Sequence, residues 1–273
     1  MSYTLEDLAK TFLLGGHTTN HVRTVAQSYL HALAEGDIAG HVAWYKNGYT
    51  AGATTSDTDI WTGATSYAFP AAEMGMEVVS SDNTNDKADG TGALTVKIYY
   101  LTDAYVEKTE TVTLDGTTPV ATVATDIFRV NALVVASTGS SGKAAGTISL
   151  RHLSDTPVYA QISAGNTKDR NGIYTVPAGK SLYITSLALS VLNANADKGC
   201  RFTLRATYDD LAAAALTAGT FFMPYFEIAL RNGAFHRDFE MPLKFGAGTD
   251  LKMSALAEAA STTCTVALRG WLE

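Results

Sequence analysis

Charge is scarce in this chain of 273 residues. Asp, Glu, Lys and Arg make up 17% of it, against about 25% in ordinary soluble domains. The 20 basic residues form no run and the formal net charge is -7, so we expect no nucleic-acid partner, because that affinity comes mainly from clustered Lys and Arg. The scarcity predicts instead a surface that partner subunits cover, since the cores of protein interfaces are depleted in charge.

Long apolar runs are lacking too. No segment approaches the ~18 residues that are needed to span a bilayer, so we expect no membrane partner. Glu6 and Asp7 stand where a secretory signal would carry basic residues. We therefore expect synthesis in a cytoplasm.

Cysteine is nearly absent as well. Cys200 and Cys264 are the only two, and both fall in predicted strands of the C-terminal half. They could be neighbours, but in a reducing compartment two buried thiols are favoured.

Motifs for chemistry are missing. The segment GSSGKA lacks the upstream glycine and the final Ser or Thr of a phosphate-binding loop, and no nucleophile elbow is present. His17 and His21 are four apart without the Glu of a zinc-binding HExxH helix. Asp82, Asp86 and Asp89 lack the spacing of a calcium-binding loop, which favours a polar turn. We predict no catalytic residue, cofactor or metal.

The first forty residues have helical periodicity. Residues 4–13 form one predicted helix, and a second runs from about Thr19 to Glu35 with Gly36 as its C-terminal cap. We predict that this arm contacts a partner through the apolar face of its first helix. That face consists of Leu5, Leu8, Phe12 and Leu13.

From about residue 41 the apolar residues alternate with period two, as in strands. In TETVTLDGTTPV, Val112 and Leu114 share one face and threonines the other. Asp115 and Gly116 predict a tight hairpin turn, and Pro119 predicts that the next strand lies at a sheet edge or pairs only after it. Frequent strands without helical periods between them indicate antiparallel sandwiches or barrels.

A second set of strands follows RHLSDTPVYA at residues 151–160. It is long enough for another complete sandwich, and its segment LAAAAL predicts a short helix or a crossing loop. We predict a mainly β protein of two antiparallel, jelly-roll-like β-sandwich domains after a short N-terminal helical arm. The predicted ranges are 1–40 for the arm, 41–152 for the first sandwich and 153–273 for the second.

Aromatic residues beside a carboxylate favour a second hypothesis, a receptor-binding module for host surface glycans. Tyr99, Asp103 and Tyr105 could stack on a sugar and bind its hydroxyl groups. Ordinary core and interface packing explains half of such rings and is favoured.

An enzyme such as a depolymerase is a third hypothesis, and it would need paired carboxylates in a cleft. Asp209, Asp210 and Glu227 are present. Adjacent residues on a strand point to opposite faces, so we expect no enzyme.

Five segments of the β body add a further observation. They are DIWTGATSYAFPA (59–71), the block at 90–135, GSSGKAAGTISLR (139–151), IYTVPAGKSLYITSLALSV (173–191) and PLKFGAGTDLKMSA (242–255). In this order they resemble a widespread group of tailed-bacteriophage virion structural proteins, over residues 41–273 but not over the arm.

The resemblance implies a tandem β-sandwich component of the virion with no catalytic residues. Such proteins decorate heads, form fibre bases or surround the neck and tail. We therefore expect a location in the virion, self-assembly into a homo-oligomer, and partners among the major capsid or neck and tail proteins.

Overall fold

A computed structural model describes residues 29–63, 66–195, 197–209, 212, 214–216 and 222–273. Within these ranges the chain forms one helix, α1 (Tyr29–Glu35), and otherwise strands and loops. The docking residues predicted in the arm, Leu5, Leu8, Phe12 and Leu13, lie outside the described residues, as do His17 and His21. Those predictions therefore stay predictions.

Helix α1 ends at a glycine cap, as predicted. Gly36 has a φ of +80°, and the N–H of Asp37 donates to the carbonyl of Ala32 at 2.9 Å. Glycine suits this position because a residue without a Cβ adopts positive φ without steric penalty.

The described strands all pair antiparallel, which confirms the mainly β prediction. In chain order they are β1 (Val42–Ala53), β2 (Thr58–Asp59), β3 (Met76–Ser80), β4 (Ala93–Leu101), β5 (Glu107–Thr113), β6 (Val120–Ala121), β7 (Arg129–Thr138), β8 (Ile148–His152), β9 (Val158–Ile162), β10 (Ile173–Thr175), β11 (Leu182–Leu192), β12 (Gly199–Ala206), β13 (Tyr208–Asp209), β14 (Ala214–Ala215), β15 (Met223–Arg231), β16 (Gly233–Phe245), β17 (Asp250–Ala257) and β18 (Thr262–Leu272).

Strands β3 to β9 form an N-terminal sandwich. One sheet has the order β6-β3-β8-β9 and the facing sheet the order β5-β4-β7. The core between them is apolar and includes Val96, Ile98 and Tyr100, which share one face of β4 as their alternation predicts. The outward residue between them, Tyr99, is exposed, again as predicted.

The remaining long strands form a C-terminal sandwich. Its sheets have the orders β1-β18-β11-β16 and β10-β17-β12-β15, with β2 paired to β17. Phe202 and Leu204 of β12 pack in its core with Trp44 of β1. The predicted limits at residues 41, 152 and 153 stay a prediction, but β1 shares a sheet with strands from the C-terminal half.

The hairpin predicted at Asp115 and Gly116 is wrong. The N–H of Thr118 donates to the carbonyl of Asp115 at 3.0 Å, so a turn does form. However, β6 pairs with β3 in the facing sheet instead of returning beside β5. The chain crosses between sheets there, and Gly116 lies so close to Asn83, in the loop after β3, that a Cβ would not fit. The prediction from Pro119 holds, since β6 follows it at once as an edge strand.

The segment LAAAAL also differs from its predicted helix or crossing loop. Ala214 and Ala215 form β14, which pairs with Tyr208 and Asp209 of β13 in a two-stranded ladder. The short, uncharged side chains permit this ladder although alanine favours helices, because pairing with a neighbouring strand overrides a weak local propensity.

Candidate interaction surface

A buried ion pair joins the two sandwiches. Nε and Nη2 of Arg129, on β7, donate to the two carboxylate oxygens of Asp250, on β17, at 2.8 and 3.0 Å. Both side chains are almost fully buried, with exposures of 2% and 0%. The Thr175 hydroxyl also donates to this carboxylate, at 2.6 Å, and the Arg129 guanidinium lies 3.8 Å from the ring centroid of Phe128. The hydrogen bonds satisfy charges that water no longer solvates.

The side-chain amide of Asn131 forms further hydrogen bonds between the two sandwiches. Nδ2 of Asn131 donates to the carbonyl of Thr175, and the N–H of Thr175 donates to Oδ1 of Asn131, both at 2.9 Å. The Asn131 carbonyl in turn accepts a hydrogen bond from Lys46 of β1. The two sandwiches are therefore connected by paired polar groups, and the sheets of one are held against those of the other.

Lys46 has an ionisable neighbour in the same region, Asp169. Burial lowers the pKa of Lys46, an effect that the negative charge of Asp169 partly opposes. Burial likewise raises the pKa of Asp169, and among the described residues neither of its carboxylate oxygens has a hydrogen-bond partner. Both shifts favour the uncharged forms, because burial removes water from the ions. The two residues line a depression of about 250 Å³.

Part of the outward face of the sheet β1-β18-β11-β16 is without charge, although the next rows along the same face contain Arg269, Asp238 and Lys244. Strand register places two rows of side chains across all four strands. One row is Asn47, Ala267, Ala188 and His236, and the other is Tyr49, Thr265, Ser190 and Ala234. We call these eight residues the outer face. None of them carries a permanent charge.

The outer face is concave. Its residues line a depression of about 530 Å³ together with Arg170. Arg170 stacks on Tyr49, with its guanidinium carbon 3.8 Å from the ring centroid, and so closes one side. Towards the other end of the same sheet, the rings of Tyr183 and Trp271 stack at 5.0 Å. Aromatic rings are enriched at protein interfaces relative to the rest of the surface.

The three residues predicted to contact glycans do not line one depression. Tyr99 is 40% exposed and borders a depression of about 350 Å³ with Glu107 and Lys108. Tyr105 instead packs edge-on against Phe128 with ring centroids 5.9 Å apart. Burial raises the pKa of Tyr105.

Asp103 lies in the turn between β4 and β5. Its N–H donates to a carboxylate oxygen of Glu73 at 2.8 Å, and it does not line the depression beside Tyr99. Glycan contact by Tyr99, Asp103 and Tyr105 stays a prediction.

The aspartates weighed as calcium ligands hold loops together. Asp82 accepts hydrogen bonds from the N–H groups of Thr84 and Asn85 at 2.8 and 2.7 Å, and these bonds lower its pKa. Asp86 is buried and accepts from four donors, among them the Ser80 hydroxyl at 2.7 Å. Within the described ranges no group of three His, Cys, Asp or Glu side chains is arranged to hold a metal ion.

The carboxylates weighed for an enzyme lie in different surroundings. Glu227, on β15, accepts a hydrogen bond from the Thr203 hydroxyl at 3.2 Å and lies 3.7 Å from Arg201. Asp209 is in β13 and accepts from the N–H of Ala212, whereas Asp210 is outside the described residues.

The two cysteines are neighbours in space. Cys200 on β12 and Cys264 on β18 face each other across the core of the C-terminal sandwich, with their Sγ atoms 3.6 Å apart. Both are buried free thiols, so the favoured prediction of two buried thiols and the alternative that they are neighbours both hold.

Comparison with known proteins leaves the chain without a family. No family model matches it, and no curated protein matches it. No helix among the described residues is long and apolar enough to cross a membrane.

Three solved viral structures cover most of the chain but superimpose poorly on it. The T=1 particle derived from infectious bursal virus is 11% identical and covers 89% of this chain and 81% of its own, with a TM-score of 0.11. The Gt strain of infectious bursal disease virus is 10% identical, with coverages of 90% and 85% and a TM-score of 0.10. The Gx strain is 12% identical, with coverages of 85% and 79% and a TM-score of 0.09. Scores this low carry no argument about fold or function.

The outer face is not evident from the order of residues alone. Its signal is present in LALSV, where Ala188 and Ser190 alternate with the buried Leu187, Leu189 and Val191. The alternation shows that this part of β11 has a small, uncharged side. Only the strand order shows that it lies next to uncharged residues of β1, β18 and β16.

Proposed function

We propose that this chain is a structural component of a bacteriophage virion, assembling with itself and docking on the capsid or on the neck or tail. The outer face carries the proposal, because none of its eight residues has a permanent charge that a partner would have to bury. The sequence segments that resemble phage virion proteins support the virion as its setting.

The chemistry of the outer face suits a protein partner. Its centre, at Ala188 and Ala267, has short side chains that let another backbone approach closely. Tyr49 and, on the neighbouring strand β18, Trp271 supply large rings of the kind that dominate the energetics of interfaces. The paired polar groups between the sandwiches keep the sheet in place, so little order has to be gained on docking.

A charge placed at the centre of the outer face tests the proposal. Ala188→Arg adds a long cation between Ala267 and His236. We expect the wild-type protein to form an oligomer and the variant to shift towards monomer, because burial of the cation without a partner opposes association. Light scattering after size-exclusion chromatography measures the first effect, and the copy number in purified virions measures incorporation.

Val123→Lys is the matched control. Val123 is 90% exposed and lies between β6 and β7 of the N-terminal sandwich, away from the outer face. We expect it to leave assembly and incorporation unchanged, and both variants to keep a melting temperature close to that of the wild type. A monomeric wild type, together with normal incorporation of Ala188→Arg, would contradict the proposal.

A further inference from the structure

We propose that Cys200 and Cys264 form an oxidative modification site, at which an intramolecular disulfide links the two sheets of the C-terminal sandwich. The strands that carry them, β12 and β18, belong to the two facing sheets. Their Sγ atoms lie 3.6 Å apart, with the Cys264 thiol donating towards the sulfur of Cys200. A disulfide needs the sulfurs roughly 1.5 Å closer than this, so the two side chains or their strands move together when the bond forms.

The surroundings favour one thiol as the first to react. Both thiols are buried in the core of the C-terminal sandwich, with 2% of Cys200 and none of Cys264 exposed. The hydrogen bond from Cys264 lowers the pKa of Cys200, while the pKa of Cys264 is raised by the same contact and by burial. The thiolate is the nucleophile in thiol oxidation, so Cys200 reacts first and Cys264 resolves the product.

The reaction needs a small two-electron oxidant such as hydrogen peroxide, which reaches the buried Cys200 through local opening of the sandwich. The Cys200 sulfur attacks one peroxide oxygen, the O–O bond breaks, and hydroxide leaves and becomes water. Cys264 sulfur then attacks the sulfenic acid at Cys200, the S–O bond breaks, and a second water leaves with the thiol proton. Both sulfurs are oxidised and the peroxide is reduced to two waters.

The disulfide would close a long loop in the unfolded chain and so restrict its conformations. The two cysteines are 64 residues apart in sequence, and a link that closes a loop of this length removes much of the conformational freedom of the unfolded state. We expect the oxidised protein to melt about 5–10 °C above the reduced protein, given the size of the chain. In a reducing cytoplasm the pair stays as thiols.

The experiment compares the full-length protein after reduction and after treatment with one equivalent of hydrogen peroxide. We expect the intact mass to fall by the mass of two hydrogen atoms, the two free thiols to disappear on titration of the denatured protein, and the melting temperature to rise. Reduction should reverse all three changes. Peptide mapping should recover one cross-linked peptide pair containing both cysteines.

Cys200→Ala and Cys264→Ala are the matched variants, and each should lose the rise in melting temperature because only one cysteine remains. Should either variant fail to fold, the wild-type mass and thiol count still decide the matter. Retention of two free thiols after peroxide treatment would overturn the proposal. Addition of oxygen atoms without a cross-link would overturn it too, because the thiols would then react independently.

Discussion

Arg129 and Asp250 illustrate what a single buried contact does in this protein. A charge without water is unfavourable unless close partners replace the hydration. Here two parallel hydrogen bonds, at 2.8 and 3.0 Å, join the guanidinium to the carboxylate. The carbonyl of Pro70 accepts a further bond from Nη1 of Arg129 at 2.7 Å. The pair therefore specifies how β7 of one sandwich meets β17 of the other.

Removing one member of this pair should destabilise the protein strongly. We expect Arg129→Met to lower the free energy of unfolding by about 3–5 kcal/mol, because Asp250 is then a buried charge without its cation. Arg201→Met is the control, since its ion pair with Glu227 is exposed and we expect a loss under about 1 kcal/mol. Urea unfolding measures both, and equal losses would show that the buried pair has no special role.

At the scale of single strands, the alternation of apolar and polar residues predicts which face of a strand is buried but not which strands pair. In β5 the threonines at 109, 111 and 113 face outwards while Val112 lies in the core, as the sequence predicts. The turn after β5 leads to the facing sheet, which alternation cannot reveal. Strand β1 is the larger example, because it pairs with β18 at the far end of the chain.

Strand β1 should be needed to fold the C-terminal sandwich. A fragment of residues 153–273 exposes one edge of β18 and lacks Trp44, which packs in the core. Loss of such a ring costs about 3–5 kcal/mol, so we expect no cooperative thermal transition by circular dichroism. Residues 40–273, one compact unit, are the control. A peptide of residues 42–53 added to the fragment should restore the transition, and a fragment that folds alone would refute this.

At the scale of the whole β body, the N-terminal sandwich is an insertion in the sequence of the C-terminal one. Strands β1 and β2 belong to the C-terminal sandwich, β3 to β9 form the N-terminal sandwich, and β10 to β18 follow. Burial raises the pKa of a tyrosine in each core, Tyr100 in the N-terminal sandwich, to about 12, and Tyr174 in the C-terminal one. Burial also raises the pKa of Tyr67, which packs in a separate cluster with Trp61 and Ile173.

These tyrosines should make the protein unstable in alkali. The unfolded chain loses the tyrosine protons from about pH 10 upward, whereas the folded chain retains them, so stability falls as pH rises. Lys46 has the opposite effect on stability. Its pKa is lowered in the folded protein, so stability rises with pH up to the ordinary lysine pKa of 10.5. Between pH 10.5 and pH 12 we therefore expect the melting temperature to fall by several degrees.

Substitution of one buried ring tests the cause. Tyr67→Phe should flatten the fall in melting temperature, because the buried hydroxyl that resists ionisation is gone. Tyr99→Phe removes a hydroxyl from an exposed ring instead and should leave the slope as it is. Parallel slopes for the wild type and both variants would exclude buried tyrosines as the source.

The sequence by itself determined the class of the fold and the composition of its surfaces. Local rules of backbone and side-chain geometry account for several features. These are the alternation in β4 and β12, the glycine cap at Gly36 and the edge position of the strand after Pro119. The tertiary structure decided which strands are neighbours, and therefore the outer face, the pair of Arg129 and Asp250, and the meeting of Cys200 with Cys264. These features join residues far apart in sequence, and no local period encodes which distant strands will pair.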